Sequence, residues 1–406
     1  MKSAARYKPV AWLLPLALVL AAACRDKLNS PVDCPALCPG GSVQVLDTTI
    51  TALPGQDSSL SGYQAPGLGP SLLASNGLPA EEDRILVRFL ARPDSVLVSD
   101  TNRAYTIDSV AIGVTLQARD TTLTGLKLVL YRLPVDIDST TTFAGVDTNL
   151  VDANLIDTIS IGDSTRSGLV RAVLTDSALM RVVIPPGDSG HLAIGIAVSA
   201  PRPTGVRVAS LAATGAPVFT TYVTADIPDS SKQLQVLNRL PQYASFVTQG
   251  LMTPDPDLLT VGGAPSSRAW IRFDLPALIR DSADILRATL ELTTDAPVPG
   301  LVSDAPFLNI FGVLGDLGSK SPLLTSSTIA RRIQLPDSTS GVVSVDITAM
   351  VRTWQRRGGL LPQMVFLVLT PEAASFSEPV FRSTRSPSGA PRIRLTYNFQ
   401  YPFVRP

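Results

Sequence analysis

The chain is poor in histidine, cysteine, glutamate and lysine. Its 406 residues hold one His, three Cys, five Glu and six Lys, against 28 Arg and 29 Asp. With a single histidine, His191, a multi-histidine zinc site is excluded and any Ser-His-Asp triad would have to use that residue. Three cysteines are too few for a four-cysteine metal site. Scarce Glu and Lys remove two good helix formers, while Asp, Thr, Ser, Pro and Val are abundant. Formal charge is zero, which argues against a general nucleic-acid binder. At 45% hydrophobic and 17% charged residues the chain has material for packed cores, so global disorder is excluded.

Long apolar runs are also missing. The longest, Val10 to Ala23, is too short to span a bilayer and follows Lys2, Arg6 and Lys8. That order reads as a bacterial export signal over 1–23. The run ends Leu20-Ala21-Ala22-Ala23-Cys24, which resembles a lipobox; the resemblance implies cleavage before Cys24 and lipidation of that cysteine. Arg25, rather than aspartate, follows the cysteine and favours the outer membrane of a bacterial envelope. Residues 24–43 then read as a lipid-anchored tether. Within it, Cys34 and Cys38 suit a small-loop disulfide in an oxidising compartment.

Beyond residue 44 one pattern occurs twice. Leu72-Leu73-Ala74 before Ile85 to Phe89 parallels Leu258-Leu259-Thr260 before Trp270 to Phe273. Ile107 to Ala118 parallels Ile285 to Thr293, with period-two alternation at Val110, Ile112, Val114 and Leu116 and at Leu286, Ala288, Leu290 and Leu292. Leu126 to Leu133 parallels Phe307 to Leu314, and His191 to Ser199 parallels Met364 to Thr370. A strand and short helix at 169–180 parallel those at 342–355, and each copy closes with Ala-Pro and a strand, at 216–222 and 390–397. Short strands split by Gly, Pro, Asp and Ser turns predict an all-β chain of two tandem, jelly-roll-like antiparallel β-sandwiches, at 44–225 and 240–400. Residues 226–239, polar with Pro228 and Ser230, read as a linker.

The second copy resembles the DNRLRE-type extracellular domains, related to carbohydrate-binding module family 96. The resemblance rests on Trp270 to Pro276, Ala288 to Leu292, Val345 to Thr348 with Val351 and Trp354, and Pro391 to Tyr397. It implies a β-sandwich on a secreted or surface protein, and some such domains bind acidic polysaccharides.

Chemistry-bearing residues each have a plain alternative. His191 follows a Pro-Gly turn and reads as a strand-edge histidine. Asp136, Asp138, Asp147, Asp152, Asp157 and Asp163 could hold Ca²⁺ or supply a glycosidase pair, but they also suit polar turns, and they lack the EF-hand pattern. Trp270 and Trp354 could stack on sugar, yet Ile347, Met350, Val351 and Trp354 share a helical face and point to core packing. Arg352, Arg356 and Arg357, near Arg331, Arg332, Arg382, Arg385, Arg392 and Arg394, make the second copy basic. Guanidinium suits carboxylate and phosphate, so the three helix arginines are the candidate glycan-binding residues; a solvated rim is the alternative. The expectation is a non-enzymatic, lipid-anchored envelope protein without a resident metal or cofactor, for adhesion or polysaccharide binding. The alternative is a structural or protein-binding outer-membrane lipoprotein with no glycan ligand.

Overall fold

The computed structural model describes residues 45–78, 82–174, 190–227, 233–249, 255–302, 304–356 and 360–399. The export signal at 1–23, Cys24, the tether, Cys34, Cys38, the helical piece at 176–180 and Arg357 lie outside the described residues.

The chain begins with β1 (Leu46–Thr51) and β2 (Asp57–Ser61). A first run follows: β3 (Ser71–Asn76), β4 (Asp83–Phe89), β5 (Val96–Val98), β6 (Thr101–Arg103), β7 (Tyr105–Arg119) and β8 (Lys127–Leu133). It continues through α1 (Phe143–Asp147), β9 (Leu155–Ser160), β10 (Gly168–Leu174), β11 (Leu192–Ser199), β12 (Thr204–Ala209) and β13 (Val218–Ala225). Then come β14 (Gln233–Arg239) and β15 (Pro241–Thr248). The second run is β16 (Leu258–Thr260), β17 (Ser267–Arg272), α2 (Ala277–Ser282), β18 (Ala283–Thr293), β19 (Phe307–Val313) and β20 (Leu323–Leu324). It ends with β21 (Arg331–Gln334), β22 (Val342–Asp346), α3 (Thr348–Arg356), β23 (Met364–Thr370), β24 (Val380–Arg382) and β25 (Arg392–Phe399).

The described strands pair antiparallel, and the fold is all-β and sandwich-like. In the first sandwich the sheet β14-β13-β7-β12-β3, with β10 on β7, faces the sheet β15-β4-β11-β8-β9. In the second, β1-β25-β18-β22 faces β2-β17-β23-β19, where β19 also carries β20 and β21. Each interior is built by alternation. Val110, Ile112, Val114 and Leu116 of β7 meet Ile85, Val87, Ile194 and Ile196 in one core. Ala288, Leu290 and Leu292 of β18 meet Ile271, Ile310, Val365 and Leu367 in the other. Leu286, expected on the buried face, is 40% exposed instead. The register slips between Ile285 and Arg287, and this bulge turns Ile285 inward.

The strand pairing redraws the expected boundaries. Residues 46–61 pair with β25 and β17 and so complete the second sandwich, not the first. Gln233–Arg239, expected in a linker, is a strand zipped to β13, and Pro241–Thr248 pairs with β4. In β14 the covered face is Gln235, Leu237 and Arg239, while Leu234 and Val236 alternate outward and stay exposed.

The two sandwiches touch through side chains. Arg207 donates twice to the Asp304 carboxylate, at 2.9 and 2.7 Å. Leu301 and Phe376 enter the first core, and the Phe376 ring lies over Gly205, where a Cβ would come within 2.6 Å of it. The segment from β2 to β3 crosses between them. There Gly67, at φ +82°, passes so close to β15 that a Cβ would sit 2.6 Å from the Ala244 carbonyl oxygen.

Candidate functional site

The helix α3 begins where β22 ends. The Asp346 carboxylate accepts from the Thr348 N–H at 2.8 Å, and the Thr348 hydroxyl accepts from the Ala288 N–H at 2.9 Å, tying the first turn to β18. Met350, Val351 and Trp354 are buried in the second core, so the helix has one apolar face. Arg352 and Arg356, four residues apart, project from the other side. Together with Arg331 of β21 and Asp346 they line a cleft of about 400 Å³ that also contains Thr328, Ile329 and Thr353.

The three guanidiniums are held differently. Arg331 donates to the carbonyls of Ser327, Thr328 and Ala330. Arg352 donates through Nε to the Ile285 carbonyl at 2.8 Å and lines the cleft. Arg356 is exposed and has no ion pair among the described residues. Burial pushes the Asp346 carboxyl up, but its bonds from Thr348 and the nearby Arg331 and Arg287 hold it below the usual carboxylate range.

A second cleft of about 350 Å³ lies on the outer face of the same sheet. Period-two alternation sends Arg287, Thr289 and Glu291 of β18 outward, with Ser344 of β22, Arg394 and Thr396 of β25, and Asp47 and Thr49 of β1. Arg392 Nε donates to Glu291 at 2.7 Å, and Arg394 Nη1 donates to its other oxygen at 3.3 Å. Glu291 is buried, which raises its pKa, yet the two guanidiniums overcome that and hold it below the usual range. The Arg392 and Arg394 side chains are 50% and 68% exposed, so each keeps donors for solvent or a ligand. Ser344 and Asp346 are two residues apart on β22 and join the clefts into one strip. Along it six guanidiniums face three carboxylates.

Of the candidate glycan-binding residues, Arg352 and Arg356 thus meet at one cleft with Arg331, and Arg357 is outside the described residues. Arg382 and Arg385, part of the same basic set, are occupied: Arg385 pairs with Asp57 and Asp257, and Arg382 lies 3.5 Å from Asp295. Arg332 stacks on the Phe307 ring, 4.7 Å from its centroid. Trp354 is core. Trp270 is on the outer face of the opposite sheet, packed on Phe366 at 5.9 Å between ring centroids, so the two tryptophans share no platform.

His191 is a strand-edge residue whose Nδ1 lies 3.1 Å from the Phe89 carbonyl oxygen. Three of the six aspartates have local or loop partners: Asp138 accepts from the Thr140 N–H in a turn, Asp157 from the Thr158 N–H within β9, and Asp163 from the Gly125 N–H of another loop. Among the described residues no three His, Cys, Asp or Glu side chains gather as a metal would require. No helix among the described residues is long and apolar enough to cross a membrane.

Sequence reasoning missed Arg287, Glu291, Asp47 and Thr49. The polar alternation Arg287-Thr289-Glu291 beside Arg392-Arg394-Thr396 carries a signal for the first two. Asp47 and Thr49 could be placed only by knowing that β1 pairs with β25. In comparisons with known proteins, no family model and no curated protein matches the chain.

Proposed function

We propose that this chain is a lipid-anchored, non-enzymatic bacterial envelope protein whose second sandwich holds anionic polysaccharide. The observation that carries this reading is the strip of Arg287, Arg331, Arg352, Arg356, Arg392 and Arg394. Planar forks of donors on an open sheet face suit carboxylate or sulfate groups repeated along a chain. Threonine and serine hydroxyls between them suit sugar hydroxyls. The export signal, Cys24 and the DNRLRE-like pattern support an envelope location, and Arg25 after the cysteine favours the outer membrane. His191 faces the Phe89 carbonyl and Asp138 caps a turn, whereas six guanidiniums gather along the strip, which supports it as the binding surface.

A glycan array probed with the full chain at low and at physiological salt tests the reading. Retention of uronic-acid or sulfated glycans at physiological salt is expected, with at least a tenfold loss in an Arg352/Arg356/Arg394→Ala variant. A blank array, or retention that ignores those substitutions, overturns it. Fatty-acid labelling that disappears in Cys24→Ser tests the anchor.

A second reading, a protein-binding lipoprotein, is favoured by the outer face of the first sandwich. There Leu234, Val236, Val173 and Leu169 are exposed around Tyr222 and Val218. Capture of one stoichiometric envelope protein that Leu234→Asp with Val236→Asp abolishes would favour it.

A further inference from the structure

The strand pair β1–β2 occupies, in the second sandwich, the places that β14–β15 occupy in the first. β1 flanks β25 as β14 flanks β13, and β2 flanks β17 as β15 flanks β4. The two pairs are related in sequence as well. Ile50-Thr51-Ala52-Leu53-Pro54 matches Leu237-Asn238-Arg239-Leu240-Pro241 in apolar spacing and in the Leu-Pro that leads into the next strand. Nine residues then follow each pair, 62–70 before β3 and 249–257 before β16. Each sandwich is therefore a body of strands, β3–β13 or β16–β25, completed by a clasp of two strands. Body one takes the clasp that follows it in the chain. Body two takes its clasp from the far side of body one, and the contacting residues Asp47 and Thr396 are 349 positions apart.

The clasp is held by a buried aspartate in a fixed register, which the same strand pair of a second copy also carries. Asp57 is 2% exposed and accepts from Thr384 N at 2.7 Å, Thr384 Oγ1 at 2.6 Å and Arg385 Nη1 at 3.1 Å. The Gly55 N–H donates to Thr384 Oγ1 at 2.9 Å, and Ile50 and Ala52 fill the core beneath. A strand without the aspartate in this register would leave the Thr384 donors without this acceptor and Arg385 without its buried counter-charge. None of these contacts depends on whether the clasp and the body share one chain; only the crossing segment 62–70 does.

We infer that β1–β2 is an exchangeable clasp, so that the pair from a second copy of this chain completes the second sandwich and two copies then share the cleft lined by Asp47, Thr49, Arg287 and Arg394. Closed and exchanged forms make the same clasp contacts, so concentration and the crossing segment decide between them. Gly67 is wedged against Ala244 and Ser245, so exchange needs the crossing segment to be released first. The inference is independent of the glycan reading.

Thr49 and Arg394 lie opposite each other on β1 and β25, both exposed, and give a direct test. Thr49→Cys and Arg394→Cys are made separately in the full chain with Cys24, Cys34 and Cys38 changed to Ser. The two chains, carrying different tags, are mixed, unfolded and refolded together at rising concentration, then oxidised. A disulfide-linked product carrying both tags, growing with concentration, is expected. Absence of that product while the Thr49→Cys/Arg394→Cys double variant closes within one chain overturns the inference. Light scattering gives an independent decision on the chain with only its native cysteines replaced. Masses of two or more copies after concentrated refolding are expected, and a single-copy mass at every concentration overturns it.

Discussion

The two sandwiches share one strand plan but present different outer faces. On β1-β25-β18-β22 the outward positions are Asp47, Thr49, Arg394, Thr396, Arg287, Thr289, Glu291 and Ser344. On the matching β14-β13-β7-β10 they are Leu234, Val236, Tyr222, Val218, Leu169 and Val173, with Asp108 and Arg171 beside them. Gly113 of β7 lets Val218 and Leu169 close over the sheet, for a Cβ there would sit 3.1 and 3.2 Å from them. Inward residues are tied to the opposing sheet and preserve the plan, whereas outward residues are free to diverge. Any difference in what the two halves bind therefore lies in the outward set.

The halves also differ in closure. The first sandwich is contiguous from β3 to β15, while the second needs β1–β2 from before the first. Removing residues 45–61 is the largest perturbation this contrast suggests. It strips an edge strand from both sheets of the second sandwich, together with the buried Asp57. Hydrogen exchange should then show β16–β25 unprotected while β3–β15 stay protected. Equal loss in both halves would break the comparison. A gentler form is Asp57→Ala, which leaves the Arg385 guanidinium and the Thr384 donors without their buried partner. A cost of about 3 kcal/mol is expected in chemical denaturation. Trp354→Ala should cost a similar amount, about 3–5 kcal/mol, because the ring is wholly buried in the second core.

Acid should act with opposite sign on the two halves. In the first, Asp83 is buried between Thr248 and Ser75, and burial raises its pKa despite those bonds and Arg84. A raised pKa in the folded state means stability present at low pH and lost as pH rises through the folded value. In the second, the pKa values of Glu291 and Asp346 are lowered, so their contribution is present above the unfolded pKa and lost as pH falls through the folded value. Moving from pH 7 to pH 4 should therefore weaken β16–β25 relative to β3–β15 in exchange experiments. Asp83→Asn and Glu291→Gln should each flatten its own half of that response. The effect of Glu291→Gln should be modest, about 1 kcal/mol, because Arg392 and Arg394 are half exposed or more.

Much of this architecture could be read from the chain. Val110-Ile112-Val114-Leu116 and Ala288-Leu290-Leu292 reveal their sheets because one face of each strand must be dry. The helix at Thr348–Arg356 is legible from Ile347, Met350, Val351 and Trp354 at helical spacing, and with it the shared orientation of Arg352 and Arg356. The exchange of edge strands was not legible, since β1 and β14 alternate in the same way and periodicity does not say which body an edge strand joins. Nor could sequence distinguish free arginines from neutralised ones. Arg385 looks as available as Arg356 until Asp57 is brought beside it from 328 residues away. The Leu286 position failed for a local reason, the bulge between Ile285 and Arg287.

The smallest expected effect on stability is on the strip itself. Arg356→Ala should change stability by no more than about 0.5 kcal/mol, as solvent-facing substitutions do. Arg352→Ala and Arg394→Ala should each cost about 1 kcal/mol, because they give up bonds to the Ile285 carbonyl and to Glu291. The same changes should weaken glycan binding, which separates recognition from folding.

The most direct measurement is a hydrogen-exchange footprint of the full chain with and without an acidic polysaccharide at physiological salt. The account predicts added protection in β18 around Arg287–Glu291, in β25 around Arg392–Thr396 and in α3, with β13 and β14 unchanged. Protection confined to β13 and β14, or no footprint at saturating polysaccharide, would contradict it.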